Sequence, residues 1–204
     1  SNTGSIGVVT LSFPLLASEA AAENPSDPLS AFHAKLEQYS ALARDALDAK
    51  RRYVVDGLHR GLFPYTLRYL FDNDMADDFP THFSTLGYVG LHDALLNLGI
   101  RGGIVDTQGH ALAQEILDHM LEIGSRYTRE TGHLYNFEGV PAEGAAYRLA
   151  YKGVKLFPDL RHSGSVDAPF FTNSCHLPAE LQYDIPYVLD HQDELQRRHS
   201  GGTV

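Results

Sequence analysis

The 204-residue sequence contains a single cysteine, Cys175, and no tryptophan. One cysteine excludes an internal disulfide, a CxxC redox pair and a cysteine zinc site within these residues. Basic residues are scarce as well: 16 Lys and Arg stand against 26 Asp and Glu, a formal net charge of -10. Nucleic-acid phosphates call for a basic footprint, so duplex binding is excluded. No run of about 18 apolar residues is present, which excludes a helical membrane span. The opening SNTGSIGVVTLSF lacks the basic and cleavage regions of a signal peptide, and a cytoplasmic chain is expected. The 11 histidines fall into no HExxH or comparable short-spaced set, so no metal site is expected here. Internal repeats and low-complexity tracts are also lacking.

What is present is an ordinary globular composition, 43% hydrophobic, with enough chain to bury a real core. The β-rich run Ile6 to Phe13, closed by Pro14, reads as a buried strand. Such a strand close to residue 1, and the Gly-Gly-Thr-Val tail reading as the start of another, suggest a segment of a larger domain. Pro28, after Ser26 or Asp27 as cap, opens a helix that runs to about His59 and ends at Gly61. Its apolar side is Phe32, Leu36, Tyr39, Leu42, Leu47, Tyr53, Val54 and Leu58. About 30 residues at roughly 1.5 Å each give some 45 Å, a length suited to the outside of a large barrel or sheet. Phe83 to Val89 is a second strand, followed after Gly90 by a short helix Leu91 to Leu98, a loop Gly99 to Gly109 and a helix Gln108 to Glu130. His133 to Glu138 is a third strand, Pro141 to Tyr151 a helix, Pro169 to Thr172 a fourth short strand, and Asp184 to Arg198 mostly helix. Strands alternating with long helices predict an α/β fold with parallel strands.

In such folds, ligands meet the C-terminal ends of strands and the N-termini of the following helices. In the stretch ETGHLYNFEGVPAEGAAYRLA, Glu138 ends a strand and Glu143 opens a helix. Glu143 can simply complement the helix dipole, and Glu138 can be a solvated loop residue. Alternatively, either serves as a general acid or base, or as a hydrogen-bond partner for a polar ligand. The segment PFFTNSCHLP brings Thr172, Asn173 and Ser174 together after an aromatic strand. Small side chains with free backbone N–H groups can cradle phosphate oxygens, and the same residues also make an ordinary turn. Cys175 reads as a buried, inert thiol. FSTLGYVG is not a GxGxxG and marks a tight strand-to-helix turn.

These stretches resemble the anaerobic, class III ribonucleoside-triphosphate reductases, a family of glycyl-radical enzymes. HLYNFEGVPAEGAAYRLA is similar to the family's NLEATPAEG-type motif, IGVVTLSFP to the strand after its finger loop, and FSTLGYVGLHDAL to its "igyiGl.e.l" segment. FFTNSCHLP is similar to its YYTNSxxLP segment, and HQDELQRRHSGGTV to its GGTV-ending segment. The motifs come in family order and span essentially the whole chain. The resemblance implies the middle of a ten-stranded α/β barrel with long outer helices, in an enzyme that reduces ribonucleoside triphosphates to deoxyribonucleotides by radical chemistry. It implies Glu143 as the active-site carboxylate, Glu138 as the less favoured choice, and Ser12, Asn136, Thr172, Asn173 and Ser174 as substrate-placing residues. A glycyl radical installed by an iron-sulfur/S-adenosylmethionine activase, a zinc site outside these residues and a homodimer are also implied.

The family's finger-loop cysteine, radical glycine and zinc cysteines have no counterpart among these residues, and Cys175 matches none of those positions. The segment alone is therefore expected not to turn over. Formate-dependent members carry asparagine where this chain has Ser12, which leaves formate or a thiol as reductant and favours the thiol. Two readings result: a segment of the catalytic barrel, with apolar surface where neighbouring strands belong, or a self-contained, non-catalytic nucleotide-binding module.

Overall fold

The computed structural model describes residues 3–65 and 77–202. Four strands form one parallel sheet: β1 (Gly4–Ser12), β2 (His82–Val89), β3 (Tyr135–Gly139) and β6 (Gly201–Gly202), in the order β1-β2-β3-β6. Each new strand joins on the same side of the last, so the direction of winding never reverses. Ser12 ends β1 opposite Val89, and Gly87 of β2 stands opposite Glu138 of β3. Gly201 is in turn opposite Glu138, while Thr203 and Val204 of the expected final strand lie outside the described residues.

Alternation along the strands sorts the sheet into two faces. One carries Leu11, Leu86, Tyr88 and Phe137, all in the main core. Helices α1 (Phe13–Glu23), α2 (Pro28–His59), α3 (Leu91–Asn97) and α4 (Thr107–Thr131) supply most of the rest of that core. Phe13, Tyr88, Phe137 and His199 form a continuous ring stack, with successive centroids 4.6, 5.0 and 5.3 Å apart. The other face carries Val8, Thr10 and Ser12 of β1, Thr85 and Gly87 of β2, and Asn136 and Glu138 of β3. Polar residues there sit where an enclosed wall would otherwise be apolar.

Local chemistry explains most element ends. The Asp27 carboxylate accepts from the Ser30 N–H at 3.1 Å and Pro28 follows at the first helical position, so α2 starts as expected. Its 32 residues bury Phe32, Leu36, Leu47 and Leu58, but Leu42 and Tyr53 are 58% and 67% exposed. Those two positions therefore leave the expected apolar side. Asp106 caps α4 by accepting from the N–H groups of Gln108 and Gly109, and Gly132 ends it with φ +76°. The loop expected over Gly99 to Gly109 holds a 3₁₀ turn, Gly103–Val105, and the first turn of α4.

At Gly109 an added Cβ would stand 1.8 Å from the backbone oxygen of Gly103. Neither backbone can yield without breaking the entry to α4. Gly109→Ala should therefore cost about 2–3 kcal/mol, as overpacking does, measured as a lower melting temperature of the full-length protein.

Two expectations are corrected. The first strand ends at Ser12, and Phe13 opens helix α1, which the reading of Pro14 as a strand terminator had hidden. Proline is equally at home in the first turn of a helix, and Phe13, Leu16, Ala17 and Ala20 then form a helical stripe that is fully or nearly buried. The strand expected over Pro169 to Thr172 does not join the parallel sheet. Only β5 (Pro169–Phe170) is strand, paired antiparallel with β4 (Ser163–Gly164). Thr172 directs its N–H to a carboxylate instead of a neighbouring strand. The remaining helices are α5 (Glu143–Leu156) and α6 (Ile185–Gln196).

Candidate active site

The sequence-predicted residues converge on the C-terminal ends of β1, β2 and β3. Ser12 is the last residue of β1 and pairs with Val89, which in turn makes an isolated antiparallel bridge to Asn173. The turn at 172–174 thus crosses the strand ends. Gly90 makes this crossing possible: with φ +78°, it turns β2 into α3 where a Cβ would meet the Pro14 ring at 2.4 Å.

Glu143 is exposed at the first position of α5. The Asn173 amide donates to its Oε1 at 2.9 Å, while Asn173 Oδ1 accepts from the Ala142 N–H at 3.3 Å. A side chain from elsewhere in the chain therefore caps α5 and holds the Glu143 carboxylate. Glu138 is half-buried and accepts from the Asn136 amide; Asn136 Oδ1 in turn accepts from the Thr85 hydroxyl at 2.7 Å. A Cβ at Gly201 would come 2.8 Å from Glu138 Oε1, so glycine there leaves room for this carboxylate. The two acids belong to separate hydrogen-bonded sets.

Thr172 and Ser174 are buried, at 4% and 1% exposure. The Thr172 hydroxyl is engaged by the carboxylate of Asp93 at 2.8 Å, a residue that sequence reasoning passed over. The Ser12 hydroxyl, by contrast, is shielded from solvent and has no hydrogen-bond partner among the described residues. Beside Glu143 and Asn173 lies a cavity of about 220 Å³, also lined by Phe171, Thr172 and His176. Burial pushes the His176 pKa down, and the negative charge of Glu143 opposes that shift. His176 too was missed, since a lone histidine in a turn carries no spacing signal.

Cys175 is wholly buried in the main core. Its Sγ lies 3.7 Å from Gln192 Oε1, and burial pushes the thiol pKa up to about 11. A thiol this protonated and inaccessible is a poor nucleophile. Iodoacetamide at pH 8 should leave Cys175 unmodified in the native protein and alkylate it after denaturation, as mass spectrometry would show. Among the described residues, no group of three or more His, Cys, Asp or Glu side chains is arranged to hold a metal ion. Among the same residues, no helix is long and apolar enough to cross a membrane.

The family model described as anaerobic ribonucleoside-triphosphate reductase matches residues 1–204. The chain belongs to that family. A reductase of this name from Haemophilus influenzae is 27% identical over 210 residues, covering 98% of this chain and 28% of its own length. The chain thus spans well under a third of that relative. Crystal structures of the anaerobic ribonucleotide reductase from Thermotoga maritima share the fold. One with dATP in the specificity site has a TM-score of 0.80 at 23% identity, over 99% of this chain and 32% of that one. Another, in complex with dATP and CTP, has a TM-score of 0.79 at 23% identity over the same shares. The mixed α/β architecture with its parallel sheet is therefore that of the anaerobic reductases.

Proposed function

We propose that these residues are one continuous segment of the catalytic barrel domain of a cytoplasmic anaerobic ribonucleoside-triphosphate reductase, and that they line its ribose site. The observation that carries this reading is the Asn173–Glu143 hydrogen bond over the C-terminal ends of the parallel strands, where α/β folds bind ligands. The one-directional strand order also suits the wall of a ten-stranded barrel, since a doubly wound sheet would reverse. Val8, Leu42 and Leu156, at 48%, 58% and 70% exposure, present apolar surface that neighbouring barrel elements can cover.

In this reading Glu143 faces the ribose and holds or moves a proton at the sugar hydroxyls, because its carboxylate is exposed and oriented by a single amide. Glu138 is the weaker candidate, since Asn136 already engages it. Asn173, Ser12 and Asn136 place the sugar and its neighbouring groups, and the buried Thr172 and Ser174 shape the turn that presents Asn173. The family's glycyl radical, installed by its activase, would supply the radical chemistry by way of a cysteine outside the described residues, since the buried, protonated Cys175 is not suited to it. The zinc site and the homodimer contacts are assigned to other parts of the full-length protein. The CTP of the Thermotoga complex fits a ribonucleoside triphosphate as substrate, whereas dATP, which lacks the 2′-hydroxyl, sits in that protein's specificity site.

The full-length protein, activated anaerobically and given ribonucleoside triphosphates with a dithiol and no formate, should form deoxyribonucleotides. A protein that carries its radical yet yields no deoxyribonucleotide with either dithiol or formate would overturn the reading.

A further inference from the structure

Asp93 lies in the first turn of α3 and is completely buried. Its Oδ2 accepts from the Thr172 N–H at 2.7 Å and from the Thr172 hydroxyl at 2.8 Å, and its Oδ1 accepts from the Ser163 hydroxyl at 3.3 Å. Removing a carboxylate from water is costly, and a buried one persists where donors surround it. Here the donors hold one turn. The Thr172 carbonyl accepts from the Gly90 N–H at 2.8 Å, and the Ser174 carbonyl from the Leu91 N–H at 3.1 Å. Ser174 has φ +32°, a conformation that non-glycine residues adopt only when their surroundings impose it. Asn173 sits between these two fixed residues, and its amide reaches Glu143.

We infer that Asp93 is the positioning residue of the site: it clamps Thr172, so that Asn173 presents its amide to Glu143 in one orientation. Asp93 itself does not touch Glu143, since both its oxygens face Thr172 and Ser163. The inference rests on Glu143 being the active-site carboxylate. A misplacement of about 1 Å in a catalytic group can cost on the order of a hundredfold in rate. The effect of losing Asp93 therefore belongs in kcat more than in KM.

The test uses the full-length enzyme carrying D93A, D93N, T172V or E143Q. D93A should lower kcat about tenfold or more, with KM for the nucleoside triphosphate changed less than about threefold. D93N should keep at least about half of the wild-type kcat, because its amide oxygen can still accept both Thr172 donors while its NH₂ donates to the Ser163 hydroxyl. T172V, which removes one donor and little volume, should lower kcat about threefold to tenfold and keep cooperative melting. In the E143Q background, D93A should remove less than about threefold of the residual turnover, since the two act in one chain of contacts. A further tenfold loss there would mark general damage and overturn the inference. So would a wild-type kcat in T172V, or in a folded D93A. Unchanged turnover in E143Q alone would instead overturn the reading of Glu143 itself.

Discussion

Glu143→Gln in the full-length reductase is expected to lower ribonucleotide reduction at least about a hundredfold, the range of a positioned acid or base, with thermal melting unchanged. Gln keeps the shape of the side chain and an oxygen that can accept from the Asn173 amide. It removes the charge and the exchangeable carboxyl proton. Glu143 is exposed at the head of α5, and the cap of that helix is supplied by Asn173 to the Ala142 N–H, so folding does not depend on the carboxylate. Turnover measured anaerobically with radiolabelled nucleotide separates the possibilities. A variant that turns over like wild type would reduce Glu143 to complementing the helix dipole.

The second large effect concerns stability. Arg51 of α2 is 2% exposed. Its Nη1 donates to the carbonyls of Asp78 and Phe79 at 2.8 and 2.9 Å, and its Nη2 to the carbonyl of His82 at 2.9 Å and the Ser84 hydroxyl at 3.2 Å. Burial lowers its pKa, while the negative charge of Asp78 acts in the opposite direction. One guanidinium thus gathers the chain entering β2 onto the long helix. Arg51→Met fills much of the same volume but strands these acceptors, and should cost about 3–5 kcal/mol, as when a buried charged network loses one member. Lys should rescue little, because a single ammonium cannot span acceptors arranged for a planar fork. Thermal melting of the full-length protein would read both. A loss of under about 1 kcal/mol would mean that water satisfies the carbonyls after all.

The parallel sheet and the two long helices were legible because their signals are local. Asp27-Pro28 marks a helix start, the spacing of Ile116, Met120 and Ile123 marks a buried stripe, and the run in β2 is β-rich. Helix α1 was hidden because Pro14 satisfies two rules at once. The site was legible only in part. Glu143 and Asn173 stood out by position and by resemblance, yet nothing within either segment says that they bond. Asp93 falls on the acidic position of the igyiGl.e.l segment, so its presence was legible, but nothing there says that its partner Thr172 lies 79 residues away. Small polar triplets look alike whether they face a ligand or a buried carboxylate, so Thr172 and Asn173 could not be told apart before folding.

That separation has a consequence for the order in which the chain acquires its structure. The 172–174 turn is tied to α3, 79 residues back, and to Glu143, 30 residues back. Closing such distant contacts loses chain entropy before it returns any binding, which makes non-local pairing slow. The clamp has no place to attach until β2, α3 and β3 are already in register. The 172–174 turn is therefore expected to dock late on the folding path. A chain on the ribosome has already made the residues of β1, β2, α3 and β3 when this turn emerges.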